Sequence, residues 1–100
     1  MDTITVNGVD YAPVTTDAPV RIVIAQRGFV FVGRYTRDDE HVALTDASVI
    51  RRWGTSKGLG ELRSGPLADT VLDQCGTVEL HDLAVVATIA VDASAWESHL

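Results

Sequence analysis

One hundred residues, 46% of them hydrophobic and 22% charged, make one globular domain with a single modest core, and exclude a disordered chain. A formal net charge of −6 repels a phosphate backbone, so general nucleic-acid binding is disfavoured. Cys75 is the only cysteine and allows no internal disulfide, and the longest apolar run, Leu83 to Val91, is far short of the roughly 20 residues that span a bilayer.

The charge is unevenly placed. All eight Lys and Arg lie between Arg21 and Arg63, where five acids accompany them, a net +3. Both flanks carry acids and no base. A basic middle on an acidic body suits either internal charge pairing or a local anion site. No basic stretch leading into an apolar segment opens the sequence, so a signal peptide is not expected and a reducing cytoplasm is.

In chain order, Thr3-Ile4-Thr5-Val6, Asn7-Gly8 and Val9-Asp10-Tyr11 predict a β-hairpin. Asn-Gly supplies the two positive-φ positions of a type I′ turn between alternating strands. Pro13 ends the second strand, and Thr15 to Pro19 is a polar link. Val20 to Gln26 and Phe29 to Tyr35 are the next two strands, joined by a turn at Arg27-Gly28. Both are too apolar for a strand with one wet face, which places them at the centre of the sheet. Gly33 marks a bend or bulge.

Arg37 to Glu40 reads as a solvated turn, His41 to Leu44 as a short strand, Asp46-Ala47 as a corner, and Ser48 to Trp53 as a further strand. Then the chain changes character. Gly54, Thr55, Ser56, Lys57, Gly58, Leu59 and Gly60 form a glycine-rich loop, and Gly60 to Arg63 is long enough for one helical turn before Gly65-Pro66. Leu67 to Gly76 reads as irregular. Thr77 to His81 and Leu83 to Val91 are closing strands, the second expected to be buried. Asp92 is an N-cap for a short turn that docks Trp96. Seven or eight short strands at this spacing predict an all-β, mainly antiparallel fold: a small sandwich or partly open barrel with at most two helical turns.

The loop matches neither phosphate-binding fingerprint. Lys57 precedes Gly58 with no Ser or Thr after it, and Gly54, Gly58 and Gly60 do not have the dinucleotide spacing. Its chemistry is nonetheless suited to an anion: uncovered amides, the Thr55 and Ser56 hydroxyls, the Lys57 ammonium, and Arg51 or Arg52 beside it. The two arginines are strand neighbours and point to opposite faces, so at most one of them can join the loop, and Arg52 is carried as the candidate. The plain alternative is a loop whose glycines only permit a reversal. The candidate ligand-binding residues are therefore Arg52, Gly54, Thr55, Ser56, Lys57, Gly58 and Gly60.

No catalytic set emerges. Cys75, His81 and Asp82 lack the spacing of a thiol–imidazole pair, and Cys75 is expected to be a buried structural residue. His41, His81 and His99 are scattered, so neither a metal nor another cofactor is expected. Trp53 is expected to anchor the core.

The run Arg51 to Leu62, Gly65-Pro66, Leu72 to Val78, His81 and Ala84 to Ile89 is similar to a family of small bacteriophage and prophage proteins of unknown function. The resemblance covers roughly residues 20–91. It leaves the hairpin (1–14) and the tail (92–100) of the single domain outside. It implies a phage or mobile-element accessory protein in the host bacterial cytoplasm, and it carries no catalytic residue with it.

Two functions remain open. One is a non-enzymatic, homo-oligomeric binding module that engages a small anionic ligand or a host protein through Gly54–Gly60. The other is a virion or assembly component whose loop makes subunit contacts. A small hydrolase ranks last for want of a nucleophile–base pair.

Overall fold

A computed structural model describes residues 18–100, together with the backbone of two short strands ahead of them, β1 (Ile4–Val6) and β2 (Val9–Tyr11). These two pair antiparallel with Val6 opposite Val9, the register that a two-residue connection imposes. The Asn7-Gly8 turn and the 12–17 link lie outside the described residues.

Five further strands make one antiparallel sheet: β3 (Val20–Ala25), β4 (Val30–Asp38), β5 (His41–Arg52), β6 (Val71–His81) and β7 (Val85–Ala90). Their order is β6-β5-β4-β3-β7, so β4 is central and the two apolar runs expected in the middle are there. The helical content among the described residues is one four-residue helix, α1 (Ala93–Trp96), and short 3-10 turns. The fold is all-β and mainly antiparallel, as the strand spacing predicts.

β3 and β4 are apolar on both faces because each face has its own core. Val20, Ile22, Val30 and Val32 pack with Ile50, Leu59, Leu62 and Trp96 on one side. Val23, Ala25 and Phe31 pack with Leu44 and Ala47 on the other. Alternate residues serve alternate cores, the period of two that a pleated strand imposes.

A sharp bend crosses the middle of the sheet. Val32 faces Ser48 and Arg34 faces Thr45, so two residues of β5, Asp46 and Ala47, oppose the single Gly33. A Cβ on Gly33 would lie 3.0 Å from the Thr45 carbonyl oxygen and 3.1 Å from the Ala47 Cα, which is why glycine stands there. Asp46 absorbs the extra residue at φ 51°. The corner expected at Asp46-Ala47 is thus a bulge within one twelve-residue strand and not a break between two.

Two other expectations are corrected at the sheet edges. Residues 71–76, read as irregular, are the first half of β6. There the register slips again at Cys75, between Ala47 opposite Gly76 and Ser48 opposite Gln74, which breaks the alternation that marks a strand. The closing apolar run is not a buried strand: β7 is an edge, and Val86, Ala87, Thr88 and Ala90 are exposed.

The chain end closes the first core. Asp92 caps α1, its Oδ1 accepting from the Ser94 amide (3.1 Å) and hydroxyl (2.7 Å). Trp96 is fully buried and donates from Nε1 to the Leu62 carbonyl at 2.8 Å. It therefore holds the place expected for Trp53, which is 42% exposed at the end of β5. On β4 the buried Arg34 guanidinium pairs with Asp46 at the bulge (3.1 Å) and with Glu97 just past α1. No helix among the described residues is long and apolar enough to cross a membrane.

Candidate functional site

The connection from β5 to β6 is the longest in the sheet, and it carries the predicted site. Gly54 (φ 67°) opens it by pressing against the Asp69-Thr70 backbone. A Cβ there would sit 2.4 Å from the Asp69 carbonyl carbon, so no other residue fits. Thr70 pins the two ends of the connection together: its hydroxyl donates to the Trp53 carbonyl (2.6 Å) and accepts from the Leu67 amide (2.9 Å). Past Gly58 (φ 107°) the chain enters a 3-10 turn, Leu59–Ser64, that buries Leu59 and Leu62 beneath Trp96.

The loop amides converge, and a carboxylate holds them. Glu61 Oε2 accepts from the Ser56 amide at 2.8 Å and from the Lys57 amide at 2.9 Å. Its Oε1 accepts from the Ser56 hydroxyl at 3.3 Å. The Lys57 amide, above all, holds the Glu61 carboxyl below the usual carboxylate range. Partial desolvation opposes it, and the Ser56 donors add to it. The sign follows from linkage: the contribution is present above the ordinary glutamate pKa and is lost as pH falls through the lowered one.

Beside this carboxylate lies an open cavity of about 410 Å³ lined by Lys57, Gly60, Glu61, Arg63, Ser64 and Leu67. Among the described residues, Lys57, Arg63 and Arg52 have no carboxylate partner within ion-pair distance. The neighbour of Arg52 on β5 is committed: Arg51 donates to Asp73 at 2.8 Å. Of the two neighbours on β5, Arg52 is the one without a carboxylate partner among the described residues, and it does not line this cavity. Of the predicted residues, Ser56 and Lys57 meet at the carboxylate, Lys57 and Gly60 reach the cavity, and Gly54 is structural.

The sequence reading missed Glu61, Arg63 and Ser64. Arg63 had a legible signal, a base with no acid three or four residues away in either direction. Glu61 had none. It lies five residues after Ser56, whereas the capping-box pattern that links a hydroxyl to a glutamate has a spacing of three.

Elsewhere the chemistry is sparse. Cys75 is exposed, not buried, with its thiol donating to the Ala47 carbonyl at 3.5 Å. It lies six residues from His81 on the same strand, roughly 20 Å at the usual strand rise, so the two form no pair. His41 and His81, distant in sequence, stand opposite each other on β5 and β6. Each approaches a glutamate, His41 to Glu79 at 3.4 Å and His81 to Glu40 at 3.6 Å. Among the described residues no three His, Cys, Asp or Glu side chains are grouped to hold a metal ion. A second cavity, about 210 Å³, is lined by Asp46, Ala47, Gln74, Gly76 and Leu100.

No protein-family model matches the sequence, and no curated protein matches it. Among solved structures, that of a heptameric archaeal Sm protein, described for its implications for the eukaryotic snRNP core, is similar in fold. The TM-score is 0.51 at 16% identity, covering 78% of this chain and 96% of that one. The fold is Sm-like. At that identity the likeness extends to the fold and no further.

Proposed function

We propose that the protein is a non-enzymatic, self-assembling binding module whose β5–β6 connection takes a small anion. The observation that carries this reading is the set of three cations, Arg52, Lys57 and Arg63, without carboxylate partners among the described residues of an otherwise acidic chain. Two of them line one open cavity together with the Ser64 hydroxyl. Unpaired cations at a cavity favour an anionic occupant. The absence of a nucleophile–base pair among the described residues speaks for binding and against turnover. The resemblance to phage and prophage proteins supports an accessory role in a bacterial host.

Thermal unfolding in rising sulfate, with ionic strength held constant by sodium chloride, tests the reading. Wild type gains stability as the site fills. Lys57→Ala loses one charge-assisted contact, and its sulfate affinity falls tenfold to a hundredfold, equivalent to about 1.5–3 kcal/mol. In the absence of sulfate its stability changes by less than about 0.5 kcal/mol, because the side chain is exposed. A wild-type curve indifferent to sulfate sinks the reading.

A second role, as a structural component of an assembly, is favoured by a separate observation. Both outer strands, β6 and β7, have a free edge among the described residues. Recovery of the protein in purified particles would decide for it.

A further inference from the structure

We propose that Glu61 is a displaceable plug: the Ser56-Lys57 amide pair is an oxyanion site held by the protein's own carboxylate, and a phosphate-class dianion takes its place. The inference rests on the anion-binding reading above and adds the class of ligand and the way the site is kept closed.

Two amides within 2.9 Å of one oxygen, with a hydroxyl on the second, form the donor set that grips a phosphate oxygen. These donors belong to the loop ahead of the 3-10 turn, not to the end of a helix. The occupant arrives on a flexible three-carbon side chain, and the cavity beside it is open, so Glu61 has room to swing out without moving the backbone. Lys57 and Arg63 line the same cavity and have no ion-pair partner among the described residues. While Glu61 is seated, one negative charge faces two positive ones, and the local balance stays positive.

That imbalance selects the ligand. A simple carboxylate offers the amides nothing that Glu61 does not already give, and it must pay for association as well. A tetrahedral dianion brings two charges and a third and fourth oxygen. It can satisfy the amides while reaching Lys57 and Arg63. The site therefore prefers phosphate or a phosphate monoester to acetate.

The test uses the full chain and titrates inorganic phosphate, glycerol 3-phosphate and acetate at constant ionic strength. Affinity is read by calorimetry and location by the amide resonances of Ser56 and Lys57. With the plug removed, Glu61→Gln and Glu61→Ala bind phosphate at least tenfold tighter than wild type, with shifts at both amides, whereas in wild type, where Glu61 still competes, acetate gives no shift of comparable size. The tighter of the two phosphate ligands identifies free anion or ester as the natural form. Variants that bind phosphate no better than wild type overturn the plug and leave the anion site standing. No response at Ser56 or Lys57 in wild type or either variant overturns both. Should Glu61→Gln and Glu61→Ala fail to fold, wild type is titrated with sulfate, which keeps both charges on acidification. Affinity at the two amides must then rise as pH falls through the lowered Glu61 pKa, and a flat profile overturns the plug.

Discussion

The two tryptophans divide the work of a single residue type between core and surface. Trp96 has no exposed area, fills the first core against Leu59 and Leu62, and spends its one polar atom on the Leu62 carbonyl. Removing it leaves a large cavity, although the Leu62 carbonyl still accepts from the Gly65 amide, so Trp96→Ala is expected to cost about 3–5 kcal/mol. Trp53 is 42% exposed, and its backbone carbonyl, not its ring, makes the contact with Thr70. Trp53→Ala is expected to cost less than about 1 kcal/mol. Urea denaturation reads both as midpoint shifts at constant m-value. Equal shifts in the two variants would mean that the burial assigned to Trp96 is wrong.

At the scale of elements, the question is what keeps so short a terminal helix in place. α1 has four residues, far below the length at which a helix is stable by itself. Trp96 supplies the apolar part of the answer and Arg34 the polar part. The Arg34 guanidinium is buried on β4 and reaches Glu97 and Asp46 together. Its pKa is raised, chiefly by the Glu97 hydrogen bond, with burial opposing and Asp46 adding. Because the Glu97 carboxylate is 58% exposed, solvent screens the pair, and Glu97→Ala is expected to cost only about 1 kcal/mol. The effect is local: amide exchange speeds up in residues 93–100 and not in β3 or β4. Uniform loosening across the sheet would contradict the strap.

The same scale explains what the sequence discloses. β3 and β4 are legible because each serves two cores, so their apolar runs are unbroken. The first half of β6 is not, because an edge strand touches the core on one face only and a register slip at Cys75 interrupts even that pattern. β7 misleads in the other direction: its composition is that of a buried strand, but no strand among the described residues covers its outer edge. Which tryptophan is buried depends on where the Leu59–Ser64 turn packs, a contact between distant segments that local pattern does not encode. The glycine loop is visible from composition alone. That Glu61 occupies it depends on a reversal of the chain, which spacing rules for regular helices do not describe.

For the whole molecule, the two edges that are free among the described residues pose the decisive question. An exposed edge is a row of unpaired amides and carbonyls, and proteins cover or blunt such edges with charge, proline or a partner. β7 has none of these defences. It carries neither proline nor a charged side chain, and Val86 on it is 66% exposed. Leu83, just before the strand, is 77% exposed, and Phe29 adds a ring stacked on Phe31 with centroids 6.1 Å apart. β6 is a different surface, so pairing β6 of one copy with β7 of the next is heterologous. Such contacts close into a ring when the rotation between copies allows it. Light scattering on wild type at tens of micromolar is therefore expected to give a fixed multiple of the single-chain mass, independent of salt because edge pairing is not an ionic contact. Val86→Lys places a charge on the apolar edge, where it costs the folded chain less than about 0.5 kcal/mol but must be desolvated in the assembly. That variant is expected to run as a monomer that keeps its β-type circular dichroism. A wild type with the mass of one chain, or a Val86→Lys variant that assembles as before, would show that the β7 edge is not where copies meet.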